Sequence, residues 1–111
     1  MEVNRLELRN KLISIMEECG EEPRLYFQPD ATVTLVYPCM IYRLRTMTTS
    51  KANDKPYFKT IGFDITYVTR SPASEVPAKM LGLQYMNFDR YYTAENLHHY
   101  AYTYTNTLKE V

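Results

Sequence analysis

No stretch of the sequence approaches the roughly 20 consecutive apolar residues of a membrane helix. Even the most apolar run, LVYPCMIY, is broken by Pro38 and followed by Arg43, so a soluble protein is expected. Cysteine is scarce as well. Cys19 and Cys39 are the only two, they have no paired spacing, and nothing at the N-terminus reads as a secretory leader. That pattern points to a reducing compartment and to two buried free thiols. Neither sign of charge is in excess: 13 Lys plus Arg balance 13 Asp plus Glu. The chain therefore lacks the surplus of cations that neutralises phosphates, which argues against DNA, RNA and anionic membranes as partners. The three glycines, Gly20, Gly62 and Gly82, are isolated, so there is no phosphate-cradling loop to support nucleotide hydrolysis.

Chemistry-bearing side chains are equally sparse. His98 and His99 are the only histidines, and adjacent residues of a strand point to opposite faces, so they cannot clamp one metal. Without C-x-x-C or H-x-x-x-H spacing, neither a metal nor a cofactor is expected. Cys39 sits among apolar neighbours and reads as a small buried hydrophobe rather than as the nucleophile of a small hydrolase. Glu17, Glu18, Glu21 and Glu22 read as a solvated helix end. No catalytic residue emerges, and the expectation is a protein that is not an enzyme.

Tyrosine is what the sequence has in place of tryptophan: 11 against none. It suits strands, and it suits surfaces dry on one side and wet on the other, subunit interfaces included. A chain of 111 residues is expected to be one domain, residues 1–111, burying about two-thirds of its unfolded surface. The clearest periodicity lies in residues 57–69, YFKTIGFDITYVT, where Tyr57, Ile61, Phe63, Ile65 and Tyr67 alternate with Thr60, Gly62, Asp64 and Thr66. This is the two-residue period of a half-buried central strand.

The rest of the chain reads as pairing with that strand or covering it. Residues 3–19 carry Leu8, Leu12, Ile15, Met16 and Cys19 at helical spacing, with Asn4 as N-cap and Gly20 ending the helix. A short strand is expected within residues 32–36 and a firmer one over 39–49. Residues 50–56, SKANDKP, read as a polar loop joining two long strands into an arm. A second helix is expected over 74–83 with Ser74 as its cap, then strands over 85–92 and 97–108 around a turn at 93–96. On the first of these, Met86, Phe88 and Tyr92 share a face; on the second, Tyr100, Tyr102 and Tyr104 do. Such a tyrosine stripe could stack bases, but its Thr, Ala and Asn neighbours lack the accompanying cations, so core or subunit interface is favoured. Arg90 reads as exposed or interfacial. The expected fold is α+β: an antiparallel sheet with two helices packed on one face, in the order α-β-β-α-β-β, with a long projecting β-hairpin.

Four runs, YPCMIYRL, NDKPY, SPASEVPAKM and FDRYYTAENLHH, resemble small structural proteins encoded in the morphogenesis modules of tailed bacteriophages. The element order resembles the tail terminator, or tail completion, proteins of long-tailed phages. The resemblance implies a non-enzymatic virion component without cofactor, made in the host cytoplasm. It implies a subunit of a homo-oligomeric ring, six-fold in that family, that caps the tail tube and joins it to the head connector. Its partners would be further copies of itself, the tail tube protein and the head connector proteins, with nucleic acid at most passing through the ring and no membrane. A head-completion or connector protein of the phage neck is the alternative, and a small nucleic-acid-binding module using the tyrosine face comes after it. The assembly contacts that follow are Lys51, Asn53, Asp54 and Lys55 of the arm, with Arg90 and Tyr91 of the FDRYY run.

Overall fold

The structure, a computed structural model, describes residues 2–52 and 55–109. Helix α1 spans Glu2–Glu18 and is followed by strands β1 (Leu25–Phe27), β2 (Cys39–Ala52) and β3 (Lys55–Thr69), helix α2 (Val76–Met80), and strands β4 (Met86–Ala94) and β5 (Leu97–Lys109). The five strands form one sheet in the order β1-β2-β3-β5-β4, so the fold is α+β with a mixed sheet and two helices. β3 lies at its centre, between β2 and β5.

The alternation of β3 determines where the core sits. Ile61, Phe63, Ile65 and Tyr67 are buried, and Tyr42 of β2 and Tyr102 of β5 pair with Ile65 on either side. Leu8, Leu12, Ile15 and Met16 of α1 and Val76 and Met80 of α2 join the same cluster, which places both helices on that face. The tyrosine stripe belongs to it: Tyr102 and Tyr104 are each 2% exposed. The stripe is thus roofed by helices, not open for bases to stack on. On the opposite face a smaller cluster of Cys39, Val68 and Leu97 is covered by Tyr26 and Tyr37.

Helix α1 ends as its sequence requires. Gly20 takes φ +74°, the N–H of Glu21 donates to the Met16 carbonyl at 2.9 Å, and that of Gly20 to the Glu17 carbonyl at 3.0 Å. This is a Schellman closure, which a left-handed glycine makes cheap. Asn4, expected as the N-cap, lies inside the helix instead, because helical structure already begins at Glu2. Ser74 does not form the N-cap of α2: Glu75 holds that position, while the Ser74 hydroxyl accepts from the Val76 N–H at 3.3 Å.

Four other expectations are corrected. The strand within 32–36 does not form. The outer side of β2 at Met40–Tyr42 is taken by β1, which runs parallel to it, and this makes the sheet mixed rather than antiparallel throughout. The segment after β1 turns at Asp30, whose carboxylate accepts from the Thr32 N–H at 2.9 Å, and its Val36 N–H is bound by the Tyr26 hydroxyl at 3.2 Å. The polar loop expected over residues 50–56 is narrowed, since pairing continues through Lys51↔Pro56 and Ala52↔Lys55, while Asn53 and Asp54 of that stretch lie outside the described residues. Finally, the turn between β4 and β5 is only Glu95 and Asn96, both with positive φ (54° and 64°). Two left-handed residues in a two-residue loop match the twist of the flanking strands.

Candidate assembly surfaces

β4 is an edge strand, and eight of its nine residues are exposed. Its pairing with β5 contains a bulge between Phe88 and Arg90, at Asp89. One extra residue reverses the faces beyond it. Phe88 opposes Tyr102 and Tyr91 opposes Tyr100, so these two aromatics lie on the helix side, whereas Arg90 opposes Ala101 and Tyr92 opposes His99 on the other. The expected grouping of Met86, Phe88 and Tyr92 is corrected accordingly: Tyr91, not Tyr92, shares their face. The warning was present in FDRYY itself, where no strict alternation separates apolar from polar side chains.

The aromatics of this edge are held but not covered. On the helix side Tyr91 is 48% exposed, its hydroxyl lies 2.6 Å from His98 Nδ1, and its ring sits 4.9 Å from that of Tyr100. Phe88, 47% exposed, meets Tyr102 edge-on at 5.5 Å. On the other side Tyr92 stacks on His99 at 4.6 Å, and the Arg90 guanidinium lies 5.1 Å over the Tyr92 ring. Arg90 is exposed, as expected for a contact residue. Each aromatic is thus pre-oriented by a neighbour while much of its surface remains wet, the condition in which tyrosine and arginine contribute most to an interface.

The other candidate contacts lie elsewhere. Asn53 and Asp54 are outside the described residues. Lys51 and Lys55 lie on the last paired stretch of β2 and the first of β3. Arg90 is level with Thr66 of β3 through Ala101, 11 residues along that strand from Lys55. At about 3.3 Å per residue the two groups are roughly 35 Å apart. They are two separate surfaces.

Sequence reading missed Glu21. It is not part of a solvated helix end: its Oε1 accepts from the buried Tyr67 hydroxyl at 2.5 Å and its Oε2 from Ser74 at 2.8 Å. This ties the end of α1 to the centre of the sheet and to the approach to α2, and no spacing rule pairs residues 46 and 53 positions apart. Cys19, expected to be buried, is half-exposed beside the core because it closes the last turn of α1.

Among the described residues no group of three His, Cys, Asp or Glu is placed to hold a metal, and no helix is long and apolar enough to cross a membrane. Burial pushes the Cys39 thiol up to about 11. At neutral pH it is a thiol and not a nucleophilic thiolate. A thiol reagent is therefore expected to modify Cys39 only as fast as the domain opens, with urea accelerating the reaction; prompt labelling under native conditions would contradict this. The chain matches no family model and no curated protein.

Proposed function

We propose that the chain is a non-enzymatic structural subunit of a tailed-phage virion, forming a homo-oligomeric ring, six-fold as in the tail terminators it resembles. The ring caps the tail tube and joins it to the head connector. The observation that carries this reading is the open β4 edge, with eight of nine residues exposed and Phe88, Arg90, Tyr91 and Tyr92 along it. A ring needs head-to-tail contacts between unlike surfaces, and an aromatic edge with one arginine supplies one of them. Neutral overall charge suits a subunit packed against its own copies. The β2–β3 hairpin is read as the projecting element that meets the adjoining ring, with Lys51, Asn53, Asp54 and Lys55 as its contacts. Location in the neck or tail of the virion follows from this role.

The reading is tested in a phage carrying Lys51→Ala, Asp54→Ala and Lys55→Ala together in this gene. The purified variant is expected to keep the circular dichroism and melting midpoint of the parent. Lysates should hold filled heads and finished tails that remain separate under the electron microscope. Normal numbers of joined, infectious particles would exclude the hairpin as the joining element.

A further inference from the structure

The sheet ends in two open edges of nearly equal length. β4 forms one. On the other side β1 covers β2 only from Met40 to Tyr42. Gln28 extends the cover by two bonds: its N–H donates to the Tyr42 carbonyl at 3.0 Å and its Oε1 accepts from the Leu44 N–H at 3.0 Å. Beyond Leu44, over residues 45–52, no strand lies outside β2 among the described residues. Eight residues of open β2 thus face away from nine of open β4. Unpaired edges are templates for another strand and are commonly blunted by proline or lysine. β4, MNFDRYYTA, contains neither, and the open stretch of β2 contains one lysine, Lys51, near its end.

The two edges match in direction, side and charge. β2 and β5 run one way and β3 and β4 the other. Tyr91 is level with Tyr67 of β3 and Met47 with Ile61. β4 of one copy therefore reaches residues 45–52 of the next only with a displacement of six β3 residues, roughly 20 Å, along the strands. Copies related by rotation about an axis inclined to the strands combine that displacement with antiparallel β4–β2 pairing, the better arrangement. The exposed apolar residues also share a side. Leu44 opposes Phe63 and Met47 opposes Ile61, and the bulge at Arg45 keeps both on the helix side, where Phe88 and Tyr91 stand on β4. Aligning the midpoints of the two edges sets Met47, 58% exposed, across from Tyr91. β2 carries no carboxylate. Arg45 is held within the chain, 3.2 Å from the Asp64 carboxylate and donating to the Thr105 hydroxyl at 2.7 Å. With Met47 across from Tyr91 it is Arg43 that falls opposite Glu95 of the β4–β5 turn. A two-fold contact of β4 with itself would instead set like against like.

We propose that the partner of the β4 edge is a second copy of this chain, joined through antiparallel main-chain pairing of β4 with residues 45–52 of β2, with Tyr91 against Met47. The inference rests on the ring reading for its biological setting but specifies the contact independently. Repeated, it is heterologous and continues the sheet from copy to copy.

The test uses the full chain in a Cys19→Ser background with Met47→Cys and Tyr91→Cys, singly and together, oxidised at concentrations where the parent self-associates. The double variant is expected to give a ladder of disulfide-linked oligomers and each single variant only monomer. In the parent background Tyr91→Lys should weaken self-association about tenfold or more with an unchanged melting midpoint. Dimers from Tyr91→Cys alone would establish a two-fold contact and overturn the proposal. Failure of the double variant to cross-link would overturn it too, whether the parent closes rings, in which case the ring reading survives, or stays monomeric at millimolar concentration. Cross-linked chains that never close would keep the pairing and remove the ring.

Discussion

Ile65→Ala is expected to cost about 2–5 kcal/mol of folding stability, the range for emptying a fully enclosed aliphatic site. Ile65 has no exposed surface and sits on the central strand between Tyr42 and Tyr102, in the cluster to which both helices contribute. Its neighbours are large rings on paired strands, whose positions are set by main-chain bonds, so the site cannot collapse around the missing carbons. A domain of this size has only about 5–15 kcal/mol in total, so one side chain carries a large share. The melting midpoint should fall by about 10 °C or more. Ile65→Val, which removes a single methylene, should cost about 0.5–1.5 kcal/mol. A truncation to alanine that costs no more than the valine change would mean that the helices do not pack on this face.

Ile65 also shows where the sequence was readable. Burial of one sheet face imposes a strict period of two, and residues 57–69 and 97–108 carry it plainly, so the centre of the sheet and its tyrosine stripe could be placed by pattern alone. The helix residues Leu8, Leu12 and Met16 were placed for the same reason at a period of 3.6. What was not legible depends on partners rather than periods. β1 is three residues long, too short to show alternation, and exists because β2 offers an edge there. The bulge at Asp89 adds one residue and exchanges Tyr91 for Tyr92 on the helix side, a shift that only the register with β5 reveals. SKANDKP looked like a loop by composition, yet pairing with a long neighbour carries the ladder through Lys51 and Lys55. Polar residues suffice where a strand needs only its main chain.

The candidate surfaces follow the same division. Arg90 and Tyr91 were singled out within a resemblance, but the physical reason they are available is the position of β4 at the end of the sheet, which is a matter of strand order. Strand order arises from non-local pairing, β3 with β5 across α2 and β4, and no local pattern encodes it. Phe88 illustrates the difference. By alternation it belongs with the core residues Tyr102 and Met86, yet it is 47% exposed because among the described residues no further strand lies beyond β4.

Raising the pH is expected to unfold the domain through three buried acids before pH 12. Burial moves the Cys39 thiol from 9.0 to about 11 and the Tyr102 hydroxyl, which donates to the Pro77 carbonyl at 3.1 Å, from 10.0 to about 12. Tyr67 moves in the same direction, through burial first and its bond to Glu21 second. All three are raised, so their contribution is complete below pH 9. As pH climbs, the unfolded chain releases protons that the folded chain retains, and by linkage stability must fall. Each such proton contributes a slope of about 1.4 kcal/mol per pH unit. Urea unfolding should therefore lose on the order of 3 kcal/mol between pH 8 and pH 10.5, a large fraction of the whole. The slope identifies its origin: Cys39→Ala should flatten it from pH 9 upward and Tyr102→Phe only from pH 10, each by about one proton. Tyrosinate absorbance offers an independent reading, because Tyr67 and Tyr102 should ionise together with the loss of structure and not ahead of it. Stability that stays level to pH 11 would mean that these groups reach water in the folded state, so that both the helix roof over Tyr67 and Tyr102 and the Tyr26–Tyr37 cover over Cys39 would have to be open.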